Sequence, residues 1–300
     1  MRHALWPCLL LVAAFCLPSL AALNGREDLS WVQSYAVQLQ SADIDELVDS
    51  TYDMVVVDYS RDGTDATAYT HAEIKRVRDS GKLVLAYLPL GELSDFRFYW
   101  QSKWKTGKPG FIGPENPNWP GAFKAKYWKK RFWSKVVQPH LDRILDAGFD
   151  GVWLDTVDAY WFWYLQGEDP VRAADRMAKL VRKTAEYARA AHGEHFVVAA
   201  NNGLAMLDDA STTWRNNYLD DIDAVNVESL FYNFWSPEDQ AYRLAKLEQF
   251  SDAGKLVLNI EYVDLQATLD EYFDTLADQA FTILGYPADP DRALDELINY

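Results

Sequence analysis

Short apolar segments rich in β-branched residues alternate along the chain with longer segments whose apolar residues recur at helical spacing. This alternation is typical of βα units arranged around a parallel sheet. Because eight such units close naturally into a barrel, the pattern predicts the α/β class and a single-domain (β/α)8 TIM barrel. The eight predicted strands are 32–39, 54–57, 83–88, 151–154, 196–200, 224–227, 256–260 and 281–284.

Helical segments separate these strands, and three of them end in Gly81, Gly148 or Gly254, at the position where a helix commonly stops. A doubly wound sheet would carry a glycine-rich phosphate loop after its first strand, and none follows the first strand here. One long insertion, 94–123, is rich in Gly and Pro and is predicted to be an irregular functional loop. The predicted helices are 43–50, 70–79, 128–147, 170–191, 237–252 and 265–277.

The first residues have the composition of a secretory signal peptide, with two basic or titratable residues before an apolar run that ends in small residues. This predicts a signal peptide over residues 1–21 and a barrel domain over residues 22–300. Both cysteines lie in the signal segment, and Phe15 before Cys16 fits a lipid-anchor motif poorly. We therefore expect a secreted or periplasmic protein. No integral membrane span is expected, because no later segment approaches about 20 uninterrupted apolar residues.

The chain is acidic, with 29 Lys and Arg against 45 Asp and Glu and a formal net charge of −16 at pH 7. Nucleic acids and anionic membranes are bound through an excess of basic residues, so neither is an expected partner. A neutral or cationic substrate is compatible with this charge, although acidity also serves solubility alone. Aromatic residues make up 14% of the chain, and they could stack on sugar rings or fill the core.

Acidic residues follow the apolar runs at several predicted strand ends, which is where the active sites of barrel enzymes lie. A single such carboxylate more often caps a helix, but five that converge on one barrel mouth predict a catalytic acid and base. Glycosidic cleavage requires such a pair. The five acids are Asp58, Glu92, Asp155, Glu228 and Glu261, and Asn201 and Asn202 end a further strand.

Three of the polar residues near these strand ends allow two interpretations each. Asp158 lies in the loop after Asp155, where it could support the structure, by capping the next helix or orienting Asp155, or take part in the chemistry. Asn201 and Asn202 could form a plain turn, or they could bind sugar hydroxyl groups and orient a neighbouring carboxylate. The residues by themselves leave both pairs of interpretations open.

Neither a metal nor a cofactor is predicted. Metal-dependent barrels usually add histidine ligands, but the histidines after the signal segment fall in predicted helices or at strand beginnings. The chain also lacks a Walker loop, a Gly-x-Ser-x-Gly elbow and a His-Glu-x-x-His helix. The histidines concerned are His71, His140, His192 and His195.

Seven sequence motifs occur in a fixed order over nearly the whole mature chain. Through these motifs the chain resembles the endo-α-1,4-polygalactosaminidases of glycoside hydrolase family 114. The motifs are Tyr35-Ala-Val-Gln-Leu-Gln, Val56-Val-Asp-Tyr-Ser, Tyr87-Leu-Pro-Leu-Gly-Glu, Phe149-Asp-Gly-Val-Trp-Leu-Asp-Thr-Val-Asp, Asn201-Asn-Gly, Asp223-Ala-Val-Asn-Val-Glu and Asn259-Ile-Glu-Tyr.

The resemblance implies a (β/α)8 barrel that cleaves, internally, polysaccharides containing α-1,4-linked galactosamine or N-acetylgalactosamine. Carried over by position, it implies that Asp155 is the nucleophile and Glu228 the general acid/base. A retaining mechanism of this kind needs the two carboxyl groups about 5 to 5.5 Å apart. The residues expected to bind the polysaccharide are Tyr35, Asp58, Tyr87, Glu92, Asp158, Asn201, Asn202 and Glu261.

Two other functions are compatible with the same residues. A related hydrolase domain occurs in an enzyme of bacterial Pel polysaccharide biosynthesis, so the chain could be a non-catalytic carbohydrate-binding barrel in exopolysaccharide export or biofilm machinery. The acids could also serve a metal-dependent deacetylase or esterase. Substitution of Asp155 or Glu228 by its amide would abolish turnover but spare binding in an enzyme, and activity that survives chelation would exclude the metal enzyme.

Overall fold

A computed structural model describes residues 28–298, so the predicted signal peptide lies outside the described residues. Eight parallel strands follow one another around a nearly closed barrel, which confirms the predicted (β/α)8 fold. The first and last strands meet at a seam, where the rings of Tyr35 and Tyr286 are 5.9 Å apart. The barrel strands are β1 (Tyr35–Gln38), β2 (Met54–Val57), β3 (Leu83–Pro89), β7 (Gly151–Asp155), β8 (Val197–Asn201), β9 (Ala224–Glu228), β10 (Leu256–Tyr262) and β11 (Leu284–Ala288), with β4 to β6 in an insertion.

The barrel strands coincide with the short apolar runs of the sequence. Nearly every position in a barrel strand is buried, so apolar residues are favoured throughout its length. All residues of β2 and β8 are buried, as expected for parallel strands with helices on one face and a filled barrel on the other. Large side chains occupy the interior, where the rings of Tyr35 and Trp153 stack at 6.2 Å. The barrel is therefore a packed core whose only useful surface for chemistry is its rim.

The last strand lies further along the chain than the predicted 281–284, at Leu284–Ala288. Gly285 and Pro287 resemble turn residues in the sequence, but the strand pairs in register with β10, with Glu261 opposite Pro287. Proline lacks a backbone N–H and is tolerated on strands with one hydrogen-bonded neighbour. In the described sheet β11 stands at the end of the strand order, next to β10, and this is a position of that kind.

The insertion predicted to be irregular, 94–123, contains most of a small antiparallel sheet. Its strands are in the order β4-β6-β5, and Glu92 lies opposite Lys124. Short strands with mixed polar and apolar residues between Gly and Pro carry no clear alternation, which explains why the pattern did not reveal them. The strands are β4 (Glu92–Ser94), β5 (Ile112–Glu115) and β6 (Ala122–Ala125).

The six predicted helices are present. The three glycines expected to end helices, Gly81, Gly148 and Gly254, have positive φ angles of 97°, 81° and 73°, as is typical of glycines that end helices. A π-helical segment, Trp133–Val137, divides the predicted helix 128–147. Three further helices were not predicted, because they are short or have no continuous apolar face. The helices are α1 (Ile44–Asp49), α2 (His71–Asp79), α3 (Lys130–Phe132), α4 (Gln138–Ala147), α5 (Tyr160–Leu165), α6 (Pro170–His192), α7 (Met206–Asp209), α8 (Thr212–Asp221), α9 (Pro237–Asp252) and α10 (Leu265–Ala277). In the part of the chain that is described, none is long and apolar enough to cross a membrane.

Candidate active site

Two carboxylates and one amide meet at the ends of three consecutive barrel strands. Asp155 ends β7, Asn201 ends β8 and Glu228 ends β9. The Nδ2 atom of Asn201 lies 2.9 Å from Oδ1 of Asp155 and 3.4 Å from Oε1 of Glu228. A single amide group therefore bridges the two acids that the sequence motifs single out.

This shared amide limits the distance between the two carboxylates. The sum of its two hydrogen-bond distances is an upper limit on the separation of the two oxygen atoms, and it lies below the roughly 6.5 Å at which the spacing of inverting glycosidases begins. If the two N–H bonds of the amide diverge by about 120°, the separation is roughly 5.5 Å. That distance is the spacing of a carboxylate pair in retaining glycosidases.

A chain of hydrogen bonds through the barrel interior sets the orientation of the Asn201 amide. The hydroxyl of Tyr35 donates to Oδ1 of Asn226 at 2.9 Å, and Nδ2 of Asn226 donates to Oδ1 of Asn201 at 2.7 Å. Because the side-chain oxygen of Asn201 accepts this hydrogen bond from the barrel interior, its side-chain nitrogen must face the two carboxylates. Tyr35 is fully buried, so this position favours support of the site over the predicted contact with substrate.

The residue after each of these three strand ends has a left-handed backbone. The φ angles of Thr156, Asn202 and Ser229 are 56°, 60° and 51°. Such φ values are uncommon outside glycine and mark places where the surrounding fold imposes the conformation. Each of these turns directly follows its strand, so Asp155, Asn201 and Glu228 are the last strand residues at the mouth.

Glu228 is partly buried and accepts hydrogen bonds from neutral groups. Tyr262 donates to Oε1 at 3.1 Å and Asn202 to Oε2 at 3.4 Å, in addition to Asn201. Burial raises the pKa of Glu228, and the nearby charge of Asp155 raises it further, while the hydrogen bonds oppose this shift. A raised pKa keeps more of the carboxyl protonated near neutral pH, which suits the proton donor of a glycosidase.

Asp155 is held on both oxygens. Its Oδ2 accepts from the hydroxyl of Tyr87 at 2.6 Å, and Oδ1 accepts from Asn201. Burial, followed by the charge of Asp155, raises the pKa of Tyr87 well above its ordinary value, so this phenol remains a donor. The predicted contribution of Tyr87 to the site is thus made through Asp155, whose position it fixes.

Asp158 lies just beyond β7 in a 3-10 turn, Val157–Ala159, and is accessible from the cleft. Loss of hydration among the surrounding protein atoms raises its pKa to about 6, and repulsion from Asp155 and Glu228 adds to this rise. No side chain among the described residues forms a hydrogen bond or an ion pair with its carboxyl group. Asp158 is therefore a third titratable acid beside the pair, with its carboxyl group available to a ligand.

An open cleft of about 380 Å³ adjoins the carboxylate pair. It is bounded by the ends of β8 and β9, the start of α5 and the loop that leads into α9. Its walls combine carboxylates with the faces of aromatic rings, the usual lining of a site for a polar ligand with apolar faces. The residues that carry the argument are Asp158, Trp161, Asn202, Glu228, Trp235 and Tyr242.

Two of the predicted acids, Asp58 and Glu92, are neutralised by cations. Asp58 forms a doubly hydrogen-bonded pair with Arg97 at 2.5 and 3.2 Å, and both side chains are 5% exposed. Glu92 pairs with Lys124 and accepts from Asn116 at 2.9 Å. The Asp58–Arg97 pair connects the end of β2 to the insertion, and the Glu92–Lys124 pair joins β4 and β6 within it. This placement favours structural roles for Asp58 and Glu92 over direct binding of substrate.

The fifth acid, Glu261, is fully buried and anchors a loop. Its carboxylate accepts from the backbone N–H groups of Leu230, Phe231 and Tyr232 at 2.6, 2.8 and 3.3 Å. These residues begin the loop between β9 and α9. Although burial raises the pKa of Glu261, these hydrogen bonds oppose the rise. Its position favours support of the cleft wall and not the predicted contact with sugar.

Sequence reasoning missed several residues that shape the site. Asn226 is a polar residue inside an otherwise apolar strand, and that exception was a usable signal for a buried hydrogen bond. Tyr262 belongs to the motif Asn259-Ile-Glu-Tyr but was not singled out, and Trp235 carried no signal, because aromatic residues are common throughout the chain. Among residues 28–298, no group of three or more His, Cys, Asp or Glu side chains is placed to hold a metal ion.

A (β/α)8 barrel with paired carboxylates at the carboxyl ends of its strands has the architecture of a glycoside hydrolase. The chain matches the model of glycoside-hydrolase family GH114 over residues 21–290. It belongs to that family, and it is a glycoside hydrolase.

The chain is also similar to curated relatives over most of its length. An uncharacterized protein of Methanocaldococcus jannaschii is 35% identical over 88% of this chain and 77% of its own length. Another, from Thermotoga maritima, is 31% identical over 96% of this chain and 91% of its own length.

Two solved structures share the fold. The glycoside hydrolase domain of PelA from Pseudomonas aeruginosa has a TM-score of 0.66 at 15% identity, covering 89% of this chain and 98% of that one. Ega3 of Aspergillus fumigatus, in complex with galactosamine, has a TM-score of 0.63 at 16% identity, covering 86% of this chain and 92% of that one.

Proposed function

We propose that this protein cleaves, internally, an α-1,4-linked polysaccharide that contains galactosamine or N-acetylgalactosamine, by a retaining mechanism. The observation that carries the proposal is the bridge that Asn201 forms between Asp155 and Glu228, because it holds two carboxylates at a distance suited to double displacement. The galactosamine bound to Ega3 supports the choice of sugar. The acidity of the chain suits a polymer with free, cationic amino groups.

Asp155 acts as the nucleophile and Glu228 as the acid/base. In the first step an oxygen of Asp155 forms a bond to the anomeric carbon while the bond to the leaving oxygen breaks. The proton of Glu228 passes to that leaving oxygen, so no charged alkoxide forms. In the second step Glu228 takes a proton from water, whose oxygen displaces Asp155, and both residues return to their starting states.

The neutral donors around the pair fit these roles. Asn201 and Tyr87 hold Asp155 with both oxygens engaged, which points the carboxylate without neutralising it. The raised pKa of Glu228 allows it to start the cycle with a proton. A cation bonded to either carboxyl group would favour its ionised form and would remove that division of roles. Arg243 lies beside Glu228 but donates to its backbone carbonyl.

The direct test is incubation of the protein, without residues 1–21, with partly deacetylated α-1,4-galactosaminan. We expect oligosaccharides from the wild type by mass spectrometry and none from Glu228→Gln. Products whose first-formed anomer retains the α configuration by NMR support the retaining mechanism. An inverted anomer would refute that mechanism, and a wild type that binds the polymer but never cleaves it would favour the carbohydrate-binding alternative.

We also propose that the protein acts outside the cytoplasm, after removal of residues 1–21 as a signal peptide. The basis is the charge and apolar pattern of this segment. Fractionation of cells that express the full chain, with the mature N-terminus read by mass spectrometry, tests this. A cytoplasmic product that still carries residue 1 would refute it. Recovery of the mature protein with exopolysaccharide export components would place it in that machinery.

A further inference from the structure

Trp235 is the most exposed of the large apolar side chains that the structure describes. Its relative exposure is 95%, compared with 44% for Trp161 and 40% for Tyr242. Folded proteins usually bury much of a tryptophan side chain, since exposure of its apolar area is unfavourable. A ring left this open beside an active site can bury its face only when something binds there.

The surroundings of Trp235 identify what binds. Trp235, Trp161 and Tyr242 all line the same cleft as Glu228 and Asp158. The apolar faces of pyranose rings pack on aromatic rings, whereas their hydroxyl and amino groups need polar partners nearby. A concave surface that combines these aromatic rings with carboxylates meets both needs, and it includes Glu228 of the carboxylate pair.

The loop that carries Trp235 is held firmly at its base. Glu261 accepts the three backbone N–H groups at its start. The Nε2 atom of Gln240 donates to the carbonyl of Leu230 at 2.9 Å, and Arg243 donates to the carbonyl of Ser229 at 2.7 Å. The backbone at the base of the loop is therefore preorganised, so that a ligand loses less free energy in ordering the loop.

We propose that Trp235, with Trp161 and Tyr242, forms a distal sugar subsite that binds a pyranose unit of the same polysaccharide chain, away from the bond that is cleaved. The inference rests on the proposed function and adds a dependence on chain length. Units bound at this subsite hold a long chain across the barrel mouth. A short oligosaccharide that occupies only the positions beside Asp155 and Glu228 cannot reach it.

The test compares Trp235→Ala with Trp119→Ala on galactosamine oligosaccharides of increasing length. Trp119 is a matched control, because it is 55% exposed and does not line the cleft. For Trp235→Ala we expect kcat/KM on long oligomers to fall about 10- to 50-fold, mainly through KM. Activity on the shortest cleaved oligomer should change less than about twofold. Trp119→Ala should match the wild type at every length, and Trp235→Phe should recover part of the loss.

Binding to the Glu228→Gln protein by calorimetry, with and without Trp235→Ala, separates this proposal from the proposed function. Tighter binding of longer chains that depends on Trp235 supports the subsite even if the wild type cleaves nothing. Equal loss on short and long chains, or no loss on either, overturns the subsite while leaving the hydrolase intact. A protein that neither cleaves nor binds these chains overturns both.

Discussion

Both sides of the barrel mouth carry acidic residues, but the partners of these residues are charged on one side and neutral on the other. On the side of β2 and the insertion, Asp58 and Glu92 face Arg97 and Lys124. On the side of β7 to β9, the carboxyl groups of Asp155 and Glu228 accept hydrogen bonds from amide and phenol groups. A cation cancels the charge of an acid and makes it part of the framework, whereas neutral donors orient an acid and leave its charge or proton available.

The largest expected effect is a loss of activity when an acid on the side of β7 to β9 is replaced. Asp155→Asn or Glu228→Gln should lower kcat by about 10⁴-fold or more, because each removes a group that forms or breaks bonds in the proposed mechanism. Ionisation of Glu228 costs folding free energy above its unfolded-state pKa, since its folded pKa is raised. Glu228→Gln should therefore keep or slightly raise Tm at pH 7. Activity within tenfold of the wild type would contradict the assignment.

On the side of β2 and the insertion, where the acids are paired with cations, substitution should lower the free energy of unfolding more than the activity. Asp58→Asn leaves the guanidinium of Arg97 buried without its counter-charge, which should cost about 3 to 5 kcal/mol of unfolding free energy. Denaturant unfolding measures this loss, and kcat per folded molecule should fall far less than in Glu228→Gln. The control is Lys75→Ala, which removes an exposed ion pair with Asp79 and should cost under about 1 kcal/mol. A stable but inactive Asp58→Asn protein would place Asp58 in the chemistry.

A smaller effect should come from the hydrogen-bond chain beneath the pair. Tyr35→Phe removes the hydroxyl that fixes Asn226, so the amide of Asn201 can turn its oxygen toward the carboxylates. We expect kcat to fall about tenfold with KM little changed, because positioning groups act mainly on the chemical step. Tyr52→Phe serves as a control, since its hydroxyl donates to the carbonyl of Ile298 away from the carboxylate pair. Equal effects from both substitutions would refute a specific positioning role for Tyr35.

The smallest expected effect is a change in pH dependence. The negative charge of Asp158 makes ionisation of Glu228 less favourable, so Asp158→Asn should lower the pKa of Glu228. Glu228 acts as an acid in its protonated form, so the limb of the kcat/KM profile on the alkaline side should move to lower pH, by on the order of 1 unit or less. A profile that stays in place would show that Asp158 does not influence the acid, whatever it does in binding.

Much of the fold could be predicted because it depends on local pattern. Apolar, β-branched runs such as 54–57 favour buried strands, and glycines such as Gly148 favour helix ends, largely through the local properties of the chain. The position of acids at strand ends also follows from the chain alone, since parallel strands bring all their carboxyl ends to one rim. Asp155 and Glu228 were accessible to sequence reasoning for this reason.

Only the tertiary structure decided what each acid does. Arg97 reaches Asp58 across 39 residues and Tyr35 reaches Asn226 across 191, and these partners depend on strand register and on how the insertion folds over the rim. The shift of β11 to Leu284–Ala288 was decided in the same way, by pairing with β10. The charge state and role of a buried side chain depend on the groups packed around it, and sequence distance carries no information about those groups.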